Sequence, residues 1–168
     1  MKIRQATIEE FQNYWSNKFL NTKNYFCNGI VENRIEFWAV ENIETGKFIG
    51  ELYIMWDSVD KDEANGINRA YLCAFRVNHE LQGQGIGSKL LDRVLERVAD
   101  YGFDEVTIGI DNSNYDKLLH MYTSHGFTKK IKRKYVDDHF IDCNGFPAED
   151  KNGYDIFLCN LNERSASV

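Results

Sequence analysis

Apolar positions recur along the chain at two periods. Between Gly85 and Tyr101, Ile86, Leu90, Leu91, Val94, Leu95 and Val98 fall at spacings of three and four, which predicts a long amphipathic helix closed by Gly102. Similar spacing in Phe11, Tyr14, Trp15, Lys18 and Phe19, behind the capping box Thr7-Ile8-Glu9-Glu10, predicts a helix to about Phe19. Residues 21–33, interrupted by Asn and Gly, are expected to hold a second, shorter helical piece, and 114–125 a further helix ended by Gly126. Strands are expected at 3–6, 69–77, 105–111, 127–135 and 154–161, and at 36–42 and 47–57 as a hairpin around Glu44-Thr45-Gly46. Residues 58–66 and 137–152 read as loops, the second holding Pro147. The order β-α-α-β-β-β-α-β-α-β-β predicts an α+β fold, a mixed and mostly antiparallel sheet flanked by helices. One domain over 1–162 is expected, with a flexible C-terminal tail at 163–168.

Composition narrows the function classes. A length of 168 residues suits a single domain, and 14% aromatic residues supply burial for a folded core. Lys plus Arg number 20 against 26 Asp plus Glu, a net charge of −6. That balance repels polyanions and argues against a nucleic-acid partner. The longest apolar run, Ala70 to Phe75, is far short of the roughly 18 residues of a membrane span, and Met1-Lys2-Ile3-Arg4 leads into no signal-peptide stretch. A cytoplasmic protein with no membrane partner is expected. Cys27, Cys73, Cys143 and Cys159 form no C-x-x-C pair, and His79, His120 and His125 show no H-E-x-x-H order, so free thiols and no metal are expected. Lys129, Lys130, Lys132, Arg133 and Lys134 read as the solvated face of a strand, with RNA binding as the competing reading.

The densest chemical signal is Val77-Asn78-His79-Glu80-Leu81-Gln82-Gly83-Gln84-Gly85-Ile86-Gly87-Ser88, joining a strand to a helix. Without Cβ atoms, Gly83, Gly85 and Gly87 can turn their amides toward one point, where the helix N-terminus adds about half a positive charge. An anion site and a tight turn needing glycine for geometry alone both fit. The G-x-x-x-x-G-K-[ST] loop is not met, and the dinucleotide pattern G-x-G-x-x-G is missed at Ser88 and contradicted by the hairpin upstream.

Gln82, Gly85 and Gly87 fit the pattern Gln/Arg-x-x-Gly-x-Gly/Ala, and Tyr122 is followed by Gly126-Phe127. In both segments, and in the order of its elements over residues 2–161, the chain resembles the GCN5-related N-acetyltransferase (GNAT) superfamily. The resemblance implies transfer of an acetyl group from acetyl-CoA to a primary amine by direct attack, without metal. It places the pyrophosphate on Gln82, Gly83, Gln84, Gly85, Ile86, Gly87 and Ser88, and the pantetheine arm beside Phe75, Arg76 and Val77. The family carries an asparagine seven residues before the tyrosine; here Tyr115 holds that slot, and the neighbouring Asn114 offers either a cofactor contact or a helix N-cap. Tyr122, a phenol ordinarily titrating at about 10, is the proton donor to the departing thiolate. Glu51, Tyr71 and Asp111 are candidates for substrate contact or general base, and Cys73 for a covalent acyl carrier. Implied partners are a small-molecule or peptide amine, with room for a homodimer. The alternative is a module that holds coenzyme A or acyl-CoA without turnover. Acidic clusters at Asp60, Asp62 and Glu63 and at Asp137, Asp138, Asp142, Glu149 and Asp150 favour a cationic acceptor such as a polyamine, an aminoglycoside or a lysine-bearing peptide.

Overall fold

Thr7 and Glu10 close the predicted capping box. Thr7 Oγ1 accepts from the Glu10 amide at 3.2 Å and Glu10 Oε1 from the Thr7 amide at 3.0 Å in the computed structural model, which describes residues 1–166, the side chains of 165 and 166 excepted. Strand β1 (Lys2–Gln5) precedes this cap and helix α1 (Ile8–Tyr14) follows it. The helix stops well before Phe19. Ser16 is extended and accepts from the Lys18 amide at 3.1 Å, opening a 3-10 turn at Asn17–Phe19 from which α2 (Leu20–Val31) continues. Serine competes for backbone donors, so it restarts a helix more readily than it prolongs one. The second piece is therefore the longer, 12 residues against 7. Its Gly29 is a packing residue, since a Cβ there would collide with Ile35 Cδ1.

Strands β2 (Ile35–Glu41), β3 (Phe48–Met55) and β4 (Arg69–Val77) form an antiparallel meander. Helix α3 (Ile86–Tyr101) crosses to β5 (Glu105–Ile110), and α4 (Tyr115–Ser124) leads to β6 (Phe127–Ile141), β7 (Pro147–Asn160) and α5 (Leu161–Ala166). The sheet order is β1-β2-β3-β4-β5-β7-β6, and β4–β5 is the parallel pair in it. This is the expected α+β architecture. Alternation along the strands splits the core in two. Leu52, Ile54 and Leu72 pack against Leu90, Leu91 and Val94 of α3, while Tyr53, Met55 and Tyr71 share the other face with Phe11 and Phe26 of α1 and α2. Among the described residues no helix is long and apolar enough to cross a membrane.

Two irregularities in β4 open the sheet. Pairing with β5 ends at Leu72↔Ile108, so the remainder of β4 has β3 as its strand partner on one side alone. The register with β3 also jumps from Glu51↔Arg76 to Tyr53↔Cys73, a bulge that places Ala74 and Phe75 against Leu52 and holds Ala74 at φ +51°.

The loop expected over 137–152 is instead the body of a long hairpin. β6 runs on to Ile141, the chain turns through 142–146, and β7 starts at Pro147. Proline is tolerated at a strand's first residue. The Asp150 carboxylate accepts from the amides of Asn152 and Gly153, shaping a kink that Gly153 completes at φ +73°. At the C-terminus, α5 is helical as far as Ala166 where a tail was expected from Glu163; residues 167 and 168 of that tail lie outside the described residues.

Candidate active site

The glycine segment forms one wall of a cleft of about 610 Å³. Gly83 and Gly85 stand at φ +83° and +82°, a left-handed conformation that glycine takes without strain. Gln82 Nε2 donates to the Val77 carbonyl at 3.1 Å and ties the loop to the end of β4. Gly85 is the N-cap of α3 and has no side chain to cap it, which leaves the first amides of the helix for a ligand. Opposite them stand Asp111, Ser113, Asn114, Lys117, Leu118, Met121 and Tyr122. A Cβ on Gly87 would meet Met121 Cε and Phe75 Cζ at 3.3 Å, so the backbone there is closely approached by both side chains.

Phe75, Arg76, Val77, Gln82, Gly83, Gly85, Ile86, Gly87, Ser88 and Asn114 therefore line one surface; Gln84 is exposed and stands outside it. Asn114 occupies the N-cap position of α4 yet makes no side-chain capping bond. Tyr115 donates its hydroxyl to Asp155 Oδ2 at 2.8 Å and is committed to β7. Tyr122, 4% exposed, packs its ring 6.3 Å from Phe75 and 6.1 Å from Phe127. Burial, and then the charge of Asp111, push its phenol well above the usual range, so it stays protonated at neutral pH.

A second cavity, of about 460 Å³, lies against the same stretch of β4 and has Arg76 in common with the first. Glu51, Cys73, Ala74, Asp137, His139 and Phe140 line it, with Tyr14, Trp15, Phe19 and Phe26 from the α1–α2 region. Glu51 is 3% exposed. Burial raises its carboxyl, while the Tyr53 hydroxyl at 2.7 Å and Arg76 act downward. Burial also raises Asp137, which accepts from the His139 amide at 2.9 Å. Of the proposed bases, Glu51 thus borders this cavity, and Asp111 borders the first, where it accepts from the Ser113 amide and hydroxyl. Tyr71 borders neither and stacks on His139 with ring centroids 5.2 Å apart. Burial holds the Cys73 thiol well above its usual range and makes it a poor acyl carrier. His139 escaped the sequence reading, and Asp137 entered it only as one charge of an acidic cluster, because both lay in the supposed loop.

The basic run is a solvated face only in part: Lys129 and Lys130 are exposed, whereas Lys132, Arg133 and Lys134 turn into ion pairs. Bulges at Phe127/Lys129, Lys130/Lys132 and Lys134/Val136 break its alternation. Lys132 pairs with Asp60 at 2.6 Å and Asp62 at 3.1 Å; Lys130 and Arg133 pair with Asp155. Lys134 is buried among Asp60 at 2.8 Å, Asp138 at 2.6 Å and Glu63 at 3.3 Å, so its ammonium sits where three clustered carboxylates could otherwise gather a metal. Burial acts upward on Asp60, but hydrogen bonds from Lys132 and Lys134 outweigh it and hold the carboxyl at about 2. Asp142 and Asp150 are occupied with backbone amides. The two acidic clusters are thus largely consumed within the protein, which weakens the electrostatic case for a polycationic acceptor.

Comparison with known proteins adds an independent finding. The model of the acetyltransferase (GNAT) family matches residues 1–127. Similar solved structures include a chimera of the spermidine N-acetyltransferase SpeG from Vibrio cholerae and hSSAT, at TM-score 0.66 and 15% identity over 99% of each chain. An acetyltransferase of the GNAT family from Staphylococcus aureus has TM-score 0.65 and 16% identity over 95% of this chain and 98% of its own. An aminoglycoside 6'-acetyltransferase type Ii has TM-score 0.64 and 13% identity over 96% and 97%. At these identities the likeness is one of fold. No curated protein sequence matches the chain.

Proposed function

The chain belongs to the acetyltransferase (GNAT) family, acetyl-CoA-dependent N-acetyltransferases, and we propose that it acetylates a small cationic primary amine by direct attack, the cofactor lying in the glycine cleft and the amine in the Glu51–Asp137 cavity. The observation that carries this reading is the pair of cavities meeting at the β4 bulge, with Arg76 bordering both. The uncapped amides at Gly85 and the glycine backbone fit a pyrophosphate, and the edge of β4 left by β5 suits the amide groups of a pantetheine arm. When bound, acetyl-CoA supplies a thioester carbonyl and a sulfur leaving group.

The protein's part is positioning and proton management. Ile86, Gly87 and Ser88 hold the diphosphate charge at the positive end of α3. Glu51 removes the proton that an ammonium must lose before its nitrogen can attack. As the N–C bond forms and the C–S bond breaks, Tyr122 would give its proton to the departing sulfur, the nitrogen would lose its second proton to solvent, and exchange with solvent would then restore the Tyr122 phenol and the Glu51 carboxylate. The acceptors named for two of the similar structures, spermidine and an aminoglycoside, are both amines and support an amine here. Thiol release from acetyl-CoA, recorded with and without an amine panel, tests the reading; release independent of amine, or none with any amine, overturns it.

A further inference from the structure

We propose that the acceptor of this enzyme is an arylalkylamine, a primary amine with one cationic centre on a flat aromatic body, seated in the ring-lined Glu51–Asp137 cavity, its one nitrogen docking as the ammonium at Asp137 and becoming the nucleophile once Glu51 has taken its proton. The inference rests on the transfer reading for its chemistry and adds the substrate class to it.

The walls set the body of the ligand. Trp15 and Phe26 lie 4.8 Å apart between ring centroids, and Phe19 and Phe140 5.0 Å apart, giving the cavity two ring pairs in about 460 Å³. Rings of this kind favour a further ring stacked or edge-on, while the cation positions over Trp15 and Phe19 are already taken by Arg76 and Lys18, which leaves the ligand's own charge to a carboxylate. A volume of this order accommodates a small ligand with most of its surface buried.

Charge sets the number of ammonium groups. Each buried cation needs a carboxylate of its own or water. Glu51 is already bound to the Tyr53 hydroxyl and lies 3.6 Å from Arg76. Asp137 forms no ion pair among the described residues and accepts from the His139 amide, so it is the carboxylate left for a ligand. Its burial makes the charged form costly until a cation arrives, which favours occupation by an ammonium. Lys18 and Arg76 also border the cavity and repel a second or third positive centre. The acids that would have served a longer polycation are held by Lys132 and Lys134. A long polyamine would thus carry unpaired ammonium groups past two cations, whereas phenethylamine or tryptamine would present one.

Calorimetry and thiol release, run with phenethylamine, tryptamine, spermidine, kanamycin and a lysine peptide, test this together. Both aryl amines are expected to bind, and to be acetylated with kcat/KM at least tenfold above the polycations and the peptide. Asp137→Asn should raise KM for phenethylamine about ten- to a hundredfold, the loss of a charged hydrogen bond, while coenzyme A affinity holds. Phe140→Leu, which keeps the apolar volume but removes a ring, should weaken the aryl amines more than a short alkylamine. Preference for spermidine, kanamycin or the peptide overturns the substrate class and leaves the transfer reading standing. Aryl amines that fail to bind overturn it as well. Aryl amines that bind in calorimetry without thiol release from any amine overturn the transfer reading while supporting the cavity's ligand.

Discussion

Glu51 Oε1 lies 3.6 Å from Arg76 Nη1, and through this pair a buried carboxylate in one cavity is coupled to the residue that borders both. Burial raises Glu51 and Arg76 opposes the rise. A base works deprotonated, so kcat/KM should climb with pH through the raised value of Glu51. Arg76→Met removes a downward influence, and the acid limb of the profile should move to higher pH. A limb that stays in place, or moves toward acid, would separate Glu51 from the chemistry.

Glu51→Gln keeps the shape of the cavity and removes the base. The expected loss in kcat is about 10² or more at neutral pH, with coenzyme A affinity kept. Isothermal titration alongside steady-state kinetics reads both quantities.

Tyr122→Phe leaves the ring between Phe75 and Phe127 and takes away its proton. Turnover should drop about 10²-fold or more while coenzyme A binds as before. Equal kcat in the two proteins would make Tyr122 a packing residue.

Gly85→Val tests the anion cradle. No atom lies within 4 Å of a Cβ built at Gly85, so the substitution meets free space and a strained φ of +82° rather than a packed neighbour. Coenzyme A affinity should fall by about tenfold or more, since a branched side chain stands over the amides. Unchanged affinity would remove the pyrophosphate from this loop.

Lys134→Ala should destabilise the fold by about 3 kcal/mol, because it takes the lysine from Glu63 and Asp138 and leaves Asp60, beside them, to Lys132. Urea unfolding measures the change. The network also has a pH signature. Asp60 sits at about 2 in the folded chain, below the about 3.9 of an unconstrained aspartate. Its contribution is therefore full above about pH 4 and is lost as pH falls toward 2.

Where the sequence was legible, the signal was local. Gly83, Gly85 and Gly87 announce a backbone that must be approached closely, and the stripe from Ile86 to Val98 announces the helix that follows. Tyr122 came from its place before Gly126-Phe127 and lies in the cleft with the glycine loop. What escaped depended on distant partners. The polar stretch over 137–152 looks like a loop until Lys134 is seen among Asp60, Glu63 and Asp138, and Asp142 and Asp150 are seen capping the hairpin's own amides. Mistaking that hairpin hid His139 and the separate place of Asp137 among its acids, and with them the second cavity. Tyr71 illustrates the converse: it lies on the strand that borders both cavities, but its ring is spent on His139.

Mass spectrometry of the amine product, with the wild-type chain, Tyr122→Phe and Glu51→Gln at saturating acetyl-CoA, tests the transfer mechanism most directly. The account predicts an N-acetylated amine and one free thiol per turnover from the wild type, with both variants binding coenzyme A and forming product about 10² times more slowly. Coenzyme A binding with no acetylated amine from the wild type, or undiminished product from both variants, would contradict it.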